Sequence, residues 1–277
     1  MLSIVILTYN SQKHIEACLD SVFRQKTADI EVVVVDNASS DKTKEIIKGH
    51  YPRVKLIENP KNFGASKARN QGIECSSAEW ILSLDSDVVL GDGFIEKFEA
   101  AWQLLTDDIG MIQPQVLMED GKTIYSQGIH LTALRRFHDL NQGKTKDFTG
   151  GSSEKIIGPC SAAAFYRRSM LDKLKEKTGY FDERFFFLVE DVDLAWRAKR
   201  AGWKVLFDSQ VVCTHVGNSS GTDKKLRQYL CFRNRYWMIA KNEDFWERGR
   251  VYALSMPYEL ARGLSLAVFN KYFWRKF

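Results

Sequence analysis

The stretch ILSLDSDVVL, residues 81–90, decides the fold class. Its apolar run ends in two carboxylates, Asp85 and Asp87, that are two positions apart. A short, near-continuous apolar run is typical of a strand that is covered on both faces, as strands of parallel sheets are. The question that this stretch raises is what a buried strand gains by ending in Asp85-Ser86-Asp87.

Further apolar runs in the first half of the chain have the same character, and helix-like segments lie between them. The strands are predicted at residues 3–7, 31–36, 54–59 and 80–85, and the helices at residues 12–24, 41–49 and 64–75. A repeated strand, helix, strand order predicts an α/β fold with a mostly parallel central sheet flanked by helices.

Composition and cysteine spacing limit the class of protein. With 277 residues, of which 44% are hydrophobic, the chain can bury a sizeable core. Its five cysteines are scattered and form no C-x-x-C pair, which argues against a zinc knuckle or a disulfide framework and favours a reducing compartment. The N-terminus lacks the basic region of a secretory signal, so we expect a cytoplasmic protein.

Positive charge is concentrated at the C-terminus. Residues 224–277 carry twelve Lys/Arg and four Asp/Glu, a balance of +8, whereas the whole chain carries +5. Their apolar stretch, residues 251–269, is interrupted by Glu259 and Arg262, so it is not a convincing membrane-spanning helix. The pattern fits either a helix on an anionic membrane surface or a solvated helical face packed on the main domain.

Ligands of parallel α/β sheets bind at the carboxyl ends of the strands. This rule directs attention to Thr8-Tyr9-Asn10 after the first strand, Asp36 after the second, and Asp85 and Asp87 after the fourth. The residues after Asp36 could equally be only a loop and a helix cap.

The segment NFGASKARN, residues 62–70, also has two interpretations. In one it is a turn that depends on Gly64, with solvated Lys67 and Arg69 side chains. In the other, Lys67 or Arg69 reaches an anionic or nucleobase group.

Side chains two positions apart on a strand point to one face, so Asp85 and Asp87 can converge on a single cation. Carboxylate, phosphate and water oxygens are the ligands that Mg²⁺ and Mn²⁺ prefer. Asp191 and Asp193 have the same spacing, but they begin a predicted helix, where such positions do not face each other. We therefore favour Asp85 and Asp87 for the metal.

Other phosphate-binding motifs are missing from the sequence. There is no G-x-x-x-x-G-K-[ST] segment, and no G-x-G-x-x-G follows the first strand. What remains is a diphosphate held by a metal on carboxylates, as expected where a nucleoside diphosphate is the leaving group.

Five segments, in order along residues 1–220, together resemble the family 2 glycosyltransferases of the GT-A fold, in the branch with bacterial rhamnosyltransferases and galactofuranosyltransferases. They are SIVILTYNSQKHIEACLDSV, EVVVVDNASSDKT, NFGASKARNQGI, LDSDVVL and GYFDERFFFLVEDVDLAWRAKRAGWKV. Agreement of several separated motifs is more specific than any one of them.

The resemblance implies roles at the donor site. Asp36 would hydrogen-bond the base, Arg69 would lie near base or phosphate, Asp85 would touch the ribose, and Asp87 would bind the divalent cation, Mg²⁺ or Mn²⁺. The expected nucleotide-sugar site comprises Thr8, Tyr9, Asn10, Asp36, Asn62, Gly64, Lys67, Arg69, Asp85 and Ser86, and the expected metal ligands are Asp87, Asp85 and His215.

The resemblance also implies a catalytic pair, Glu190 and Asp191, in which Asp191 is the general base for an inverting displacement. His215 resembles a metal ligand of this branch, although a lone histidine at a strand end is often structural. The segment GPCSAAAFYRRS, residues 158–169, resembles the acceptor side of the family or is a tightly packed strand.

Four more side chains are candidates for ligand contacts. Trp196 and Trp203 could stack on sugars, but their helical spacing favours the core. Arg233 and Arg235 are candidates for gripping the donor diphosphate.

We expect one GT-A domain, residues 1–222, with a nucleotide-sugar half (1–110) and an acceptor half (111–222), followed by a basic, aromatic, helical segment (223–277). The expected activity is transfer of a sugar from a dTDP-rhamnose or UDP-hexose donor to a glycan or lipid-linked acceptor in bacterial surface polysaccharide synthesis. The alternatives are a catalytically silent nucleotide-sugar or glycan-binding module and a sugar-phosphate nucleotidyltransferase.

The expected partners are these substrates and no nucleic acid. The segment 223–277 could bring the protein to the inner face of the cell membrane or join two copies in a homodimer.

Overall fold

A computed structural model describes residues 1–26, 29–103, 105–217 and 221–274 of the chain. Within these residues the strands and α-helices alternate along the first half, and two helices end the chain. The strands are β1 (Leu2–Thr8), β2 (Ile30–Asp36), β3 (Lys55–Glu58), β4 (Trp80–Asp85), β5 (Val88–Leu90), β6 (Ile109–Met118), β7 (Ile124–Ser126), β8 (Ile129–Leu131), β9 (Phe137–Asp139), β10 (Ala163–Arg167) and β11 (Lys204–His215). The helices are α1 (Ile15–Phe23), α2 (Thr43–His50), α3 (Ala65–Glu74), α4 (Phe94–Trp102), α5 (Arg168–Leu174), α6 (Glu190–Arg200), α7 (Lys224–Asn242) and α8 (Phe245–Phe269).

Eight strands form the central sheet in the order β3-β2-β1-β4-β10-β6-β11-β5, and β7 pairs with β6 at the side. The four N-terminal strands pair with one another in parallel, as predicted. Beyond them β10 runs antiparallel to both β4 and β6, so the sheet becomes mixed. Strands β8 and β9 form a separate hairpin.

The branched residues of β1 explain its position at the centre of the sheet. Ile4 and Ile6 face a core built with α1, α2 and α4, while Val5 faces a second core that contains residues of α3, α5, α6, α7 and α8. All three side chains are at most 1% exposed. Helix α3 approaches closely because Gly72 has no side chain, and a Cβ there would overlap Val5.

The C-terminal helices are anchored to the main body by buried polar contacts. The carboxylate of Asp193 in α6 is fully buried and accepts hydrogen bonds from Arg197, from Lys241 (2.9 Å) and from Asn242 (2.7 Å) of α7. The predicted helical appendage is therefore packed against the sheet domain. Its predicted start at residue 223 falls just before α7, and the division into domains stays a prediction.

Arg233 and Arg235 do not reach a diphosphate site, contrary to the prediction. Arg235 is buried between α7 and α8, where it pairs with Glu259 at 2.7 Å and donates to the backbone carbonyls of Leu134 and Arg135. Arg233 stacks on Trp237 and donates to carbonyls that precede α6. Both guanidinium groups thus hold the appendage together.

Trp196 packs in the core on α6, and Trp203 packs against it partly buried, in line with the core interpretation of both tryptophans. Among the residues that the structure describes, no helix combines the length and hydropathy of a membrane-spanning segment.

Replacing Asp193 with alanine should destabilise the fold, because it leaves the buried cations of Arg197 and Lys241 without this partner. Breaking a buried pair from one side costs about 3–5 kcal/mol, which urea unfolding at neutral pH can measure. The matched control is Asp108→Ala, which breaks the exposed pair with Lys204 and should lower the stability far less, because solvent screens this pair. Equal losses in the two variants would contradict the anchoring role of Asp193.

Candidate active site

A cleft of about 720 Å³ opens at the carboxyl ends of β1 and β4. The chain proceeds from β1 to β2 and β3 on one side and then returns to the other side of β1 with β4, so the cleft lies at the topological switch point. Its volume is in the range of ligand pockets.

Most of the predicted site residues meet in this cleft. Those that line it are Tyr9, Asn10, Asn62, Gly64, Arg69, Asp85, Ser86, Asp87, Glu190, Asp191 and His215. Lys67 instead points away from the lining, pairs with Glu183 at 3.3 Å and lies over the Phe63 ring. Thr8 and Asp36 lie beneath the lining.

Thr8 and Asp36 present two unsatisfied oxygens side by side. They are direct neighbours in the parallel pairing of β1 and β2, and both are at most 1% exposed. Asp36 Oδ1 accepts a hydrogen bond from the Ser39 backbone, but Asp36 Oδ2 and Thr8 Oγ1 have no partner among the described residues. Buried polar atoms without partners are costly and mark places where a ligand can bind.

Side-chain amides fix the loops on this side of the cleft. Asn37 donates to the Gly64 carbonyl and accepts from Asn59 and the Phe63 backbone. Gly64 has φ +87°, and a Cβ there would overlap the Phe186 backbone, so only glycine allows this approach of α3 to the later loop.

Arg69 links the two halves of the site. Its guanidinium is 4% exposed and bonds Asp85 at 2.8 Å, Glu190 at 2.6 Å and Ser83 at 3.2 Å. Burial lowers the pKa of Arg69, but the Asp85 and Glu190 carboxylates raise it, and the net pKa is above the ordinary value. Arg69 is therefore a fixed cation that orients one carboxylate from each half.

Asp85, Asp87 and His215 form a candidate metal centre, since one oxygen or nitrogen atom from each lies within 4.8 Å of the others. His215 Nε2 is 3.2 Å from Asp87 Oδ1, and His215 Nδ1 is buried without a partner among the described residues. Two carboxylates and one imidazole are a donor set that Mn²⁺ accepts. Burial lowers the pKa of His215, whereas Asp87 raises it, with a net increase.

The convergence of Asp85 and Asp87 is as predicted, but the strand argument for it is wrong. Asp85 ends β4, whereas Ser86 and Asp87 form the turn into β5. His215 lies beside these carboxylates because β11 pairs with β5, which places His215 opposite Val88. The alternative metal pair, Asp191 and Asp193, does not share a cation site. The buried Asp193 carboxylate instead accepts hydrogen bonds from Lys241 and Asn242 of α7.

Asp191 lies at the start of α6 and lines the cleft. Its Oδ2 accepts from the Ser161 backbone at 3.2 Å and its Oδ1 from the Val192 backbone at 2.9 Å. Burial raises the pKa of Asp191, and these hydrogen bonds and Arg69 only partly offset the increase. Burial also raises the pKa of Glu190, against the lowering effect of Arg69.

The loop before Asp191 is strained and is held from outside. Phe186, Leu188 and Val189 have φ angles of +65°, +68° and +76°, a conformation that is unfavourable for residues with a Cβ, above all for valine. The buried Asn234 side chain of α7 lies within hydrogen-bond distance of three carbonyls, those of Phe185, Phe187 and Leu188. Asn234 thus fixes the backbone that presents Glu190 and Asp191.

Sequence reasoning missed several residues that line the other side of the cleft: Tyr125, Phe137, His138, Asp139, Asp223, Leu226, Arg227 and Tyr272. Burial raises the pKa of Asp139 to about 6, and its Oδ1 has no partner among the described residues. These residues come from β7 to β9 and from the C-terminal segment. Only the basic, aromatic composition of that segment gave a signal, and it was not specific enough to select them.

Comparison with known proteins gives relatives that match most of the chain. An N-acetylglucosaminyl-diphospho-decaprenol L-rhamnosyltransferase of Mycobacterium tuberculosis is 27% identical over 273 residues, which cover 90% of this chain and 87% of the relative. An N-acetylglucosaminyltransferase of Sinorhizobium fredii is 28% identical and covers 82% of this chain and 55% of its own length.

Solved structures share the fold at low identity. S. aureus TarS 1–349 superposes with a TM-score of 0.62 at 20% identity, covering 98% of this chain and 75% of its own. The mannosyltransferase PcManGT from Pyrobaculum calidifontis, in complex with GDP-Man and Mn²⁺, gives 0.64 at 17%, covering 97% and 75%. The predicted GT-A fold is therefore confirmed. The model of Glycosyl transferase family 2 matches residues 3–175, more than half of the chain, and the protein belongs to that family.

Proposed function

We propose that this chain is a metal-assisted, inverting glycosyltransferase that moves a sugar from a nucleoside-diphosphate donor to a hydroxyl of a lipid-linked glycan. The observation that carries the proposal is the joint presence, in one cleft, of the Asp85, Asp87 and His215 cluster and the Asp191 carboxylate. The cluster of Asp85, Asp87 and His215 suits a donor diphosphate with its cation, and the Asp191 carboxylate suits the acceptor hydroxyl.

Donor binding is proposed at the ends of β1, β2 and β4. The unsatisfied Asp36 oxygen suits the single N–H group of a uracil or thymine base, the neighbouring Thr8 hydroxyl suits a carbonyl oxygen of the base, and Asp85, at the end of β4, suits a ribose hydroxyl. Tyr9, Asn10, Asn62, Gly64 and Ser86 complete the walls. Arg69 acts here by orienting Asp85, since its guanidinium is already occupied by carboxylates.

When a divalent cation is bound by Asp87, Asp85 and His215, it would supply charge neutralisation for the leaving diphosphate. Two backbone groups, the N–H of Val216 and the N–H of Gly217, hold Asp87 by its carbonyl and its Oδ2. This leaves Asp87 Oδ1 on the side of His215. The chain therefore presents the ligand atoms in a fixed arrangement.

Asp191 would act as general base. Its carboxylate takes the proton of the acceptor hydroxyl, the hydroxyl oxygen forms a bond to the anomeric carbon, and the bond from that carbon to the diphosphate oxygen breaks. A single displacement of this kind inverts the anomeric configuration. The raised pKa of Asp191 makes it a stronger proton acceptor than an exposed aspartate.

We base the proposed acceptor and donor on the rhamnosyltransferase of Mycobacterium tuberculosis, which matches 90% of this chain. Its name states L-rhamnosyl transfer to a glycan on a decaprenyl diphosphate. We therefore place dTDP-rhamnose first among donors and a UDP-hexose second, because TarS has been crystallised with UDP-GlcNAc. A lipid-linked acceptor implies work at the inner face of the cell membrane, in surface polysaccharide synthesis.

Asp191→Asn should lower kcat by about 10²–10⁴-fold, because a general base contributes that much. The dissociation constant for the donor should stay within about twofold, since the donor site is separate. Isothermal titration and a radiolabelled-sugar transfer assay measure the two quantities. Unchanged turnover in an active enzyme would remove Asp191 from the base role. Absence of transfer by both the wild type and the variant would favour a silent binding module.

The pH profile gives a second check on Asp191. The base works only when deprotonated, and burial raises its pKa, so kcat/KM should fall with decreasing pH at a higher pH than an ordinary aspartate titrates. A profile that stays flat down to the ordinary aspartate range would contradict this.

Nucleotide binding should require a metal. A nucleoside diphosphate at about a hundredfold its dissociation constant adds about 2.7 kcal/mol, a midpoint shift of a few degrees, and this shift should appear only with Mn²⁺ or Mg²⁺. Asp87→Ala and His215→Ala should abolish the metal-dependent part, whereas His50→Ala, on the exposed end of α2, should not. The same shift without metal in the wild type would reject the centre.

A further inference from the structure

Helix α8 buries polar side chains as well as the apolar Val251 and Leu266. Its inward positions include Ser255, Glu259 and, just beyond its end, Asn270, all at most 7% exposed. Glu259 pairs with Arg235 and accepts from Tyr236, and Ser255 donates to the Val251 carbonyl. The contact with the protein body is thus partly polar.

The outward face of α8 is apolar. Residues 253–269 are all described, and none of the exposed ones carries a charge. The large apolar side chains there are each at least half exposed: Leu254, Met256, Tyr258, Leu260, Leu264, Val268 and Phe269. Exposed contiguous apolar surface of this kind marks an interaction site.

Aromatic side chains lie at both ends of this face. Phe245 and Trp246 are exposed at the start of α8, and Phe269 and Trp274 are exposed at its end. Tryptophan at the edge of an apolar surface is typical of contact with the lipid interface, where its ring lies among headgroups.

Basic residues surround the apolar face. Arg136 lies over the Tyr258 ring at 3.9 Å, Arg250 is exposed near the start, and Lys225 and Lys271 are exposed near the end. Four acids also lie nearby, Asp223, Glu243, Asp244 and Glu247, of which Asp223 pairs with Lys271 and Glu247 with Arg250. Since residues 224–277 carry a balance of +8, this side of the protein attracts anionic surfaces.

The end of α8 also forms the rim of the cleft. Asn270 donates to the Lys225 carbonyl at 2.7 Å, and Tyr272 donates to Asp223 at 2.9 Å. Tyr272 and Asp223 line the cleft. A surface that contacts α8 therefore lies beside the entrance.

We propose that α8 is an interfacial helix that lies in the plane of an anionic bilayer, with its apolar face among the acyl chains and the basic residues at the headgroups. Helices with one apolar face and basic edges bind membranes in this way, inserted by about 5–10 Å. The cleft entrance then opens at the bilayer surface, where a lipid-linked substrate is available.

A bilayer fits the face better than a second copy does. A symmetric dimer through α8 would bring the same patch, with its basic border, from both subunits into one interface. An anionic bilayer instead complements this border. The docking proposal does not depend on the donor, metal or base assignments, because it rests only on α8 and its border.

The test is sedimentation of the full-length protein with vesicles, without donor, metal or acceptor, so that failure of docking is separate from failure of the proposed catalysis. Vesicles contain phosphatidylglycerol and phosphatidylcholine, or phosphatidylcholine alone. We expect binding to the anionic vesicles that weakens with salt. Absence of wild-type binding to either vesicle would overturn the proposal.

The variant L260E/L264E places two charges on the apolar face and should weaken vesicle binding by about 100-fold, about tenfold for each leucine withdrawn from the apolar phase. The matched control is Phe148→Glu, a charge on an exposed aromatic residue of another surface, and it should bind as wild type does. Unfolding midpoints and metal-dependent nucleotide binding confirm that both variants fold. Equal vesicle binding by L260E/L264E and wild type would show that the apolar face of α8 does not insert into the bilayer.

Size-exclusion chromatography with light scattering distinguishes the second copy. A wild-type dimer that L260E/L264E converts to a monomer, without vesicle binding by either, would overturn the bilayer proposal and show an interface between copies of the chain.

Discussion

The buried Arg69 guanidinium is the group on which the arrangement of the site depends. It bonds Asp85, at the end of β4, and Glu190, at the start of α6, so it joins the two sides of the cleft. A single buried cation between two carboxylates is stable only if both remain in place, because removing one leaves uncompensated charge. This pairing also fixes the positions of two other carboxylates, because Asp87 comes two residues after Asp85 and Asp191 comes one residue after Glu190.

The second constraint is the strained loop before α6. Three residues with side chains adopt the left-handed conformation there, which costs about 1–3 kcal/mol each. The Asn234 amide offsets part of this cost, because it contacts three carbonyls that would otherwise be exposed by the unusual backbone. The strain and the clamp together direct Asp191 into the cleft, while Asp193 faces away and anchors α7.

The sequence predicted the parallel half of the sheet well, because strands such as β1 and β2 are continuous branched runs covered on both faces. It also selected Asp85 and Asp87, which line the cleft, through the rule that ligands bind at strand ends. It failed where tertiary contacts decide. Arg235 is a candidate for the diphosphate on its charge, which is visible in the sequence, whereas its partner Glu259 lies 24 residues away on another helix. Asp139 and Tyr272 were missed because no local pattern marks them.

Asn234 of α7 supports the loop before Glu190 and Asp191, so this loop depends on a C-terminal helix. The segment that matches the family model ends at residue 175, before Glu190, Asp191, His215 and Asn234. The helix that supports the catalytic loop is also joined, through Arg235 and Glu259, to the helix proposed to meet the bilayer. The proposed membrane contact and the support of the loop before Asp191 therefore belong to one packed unit, and exchanging this C-terminal pair of helices for that of a relative would change both.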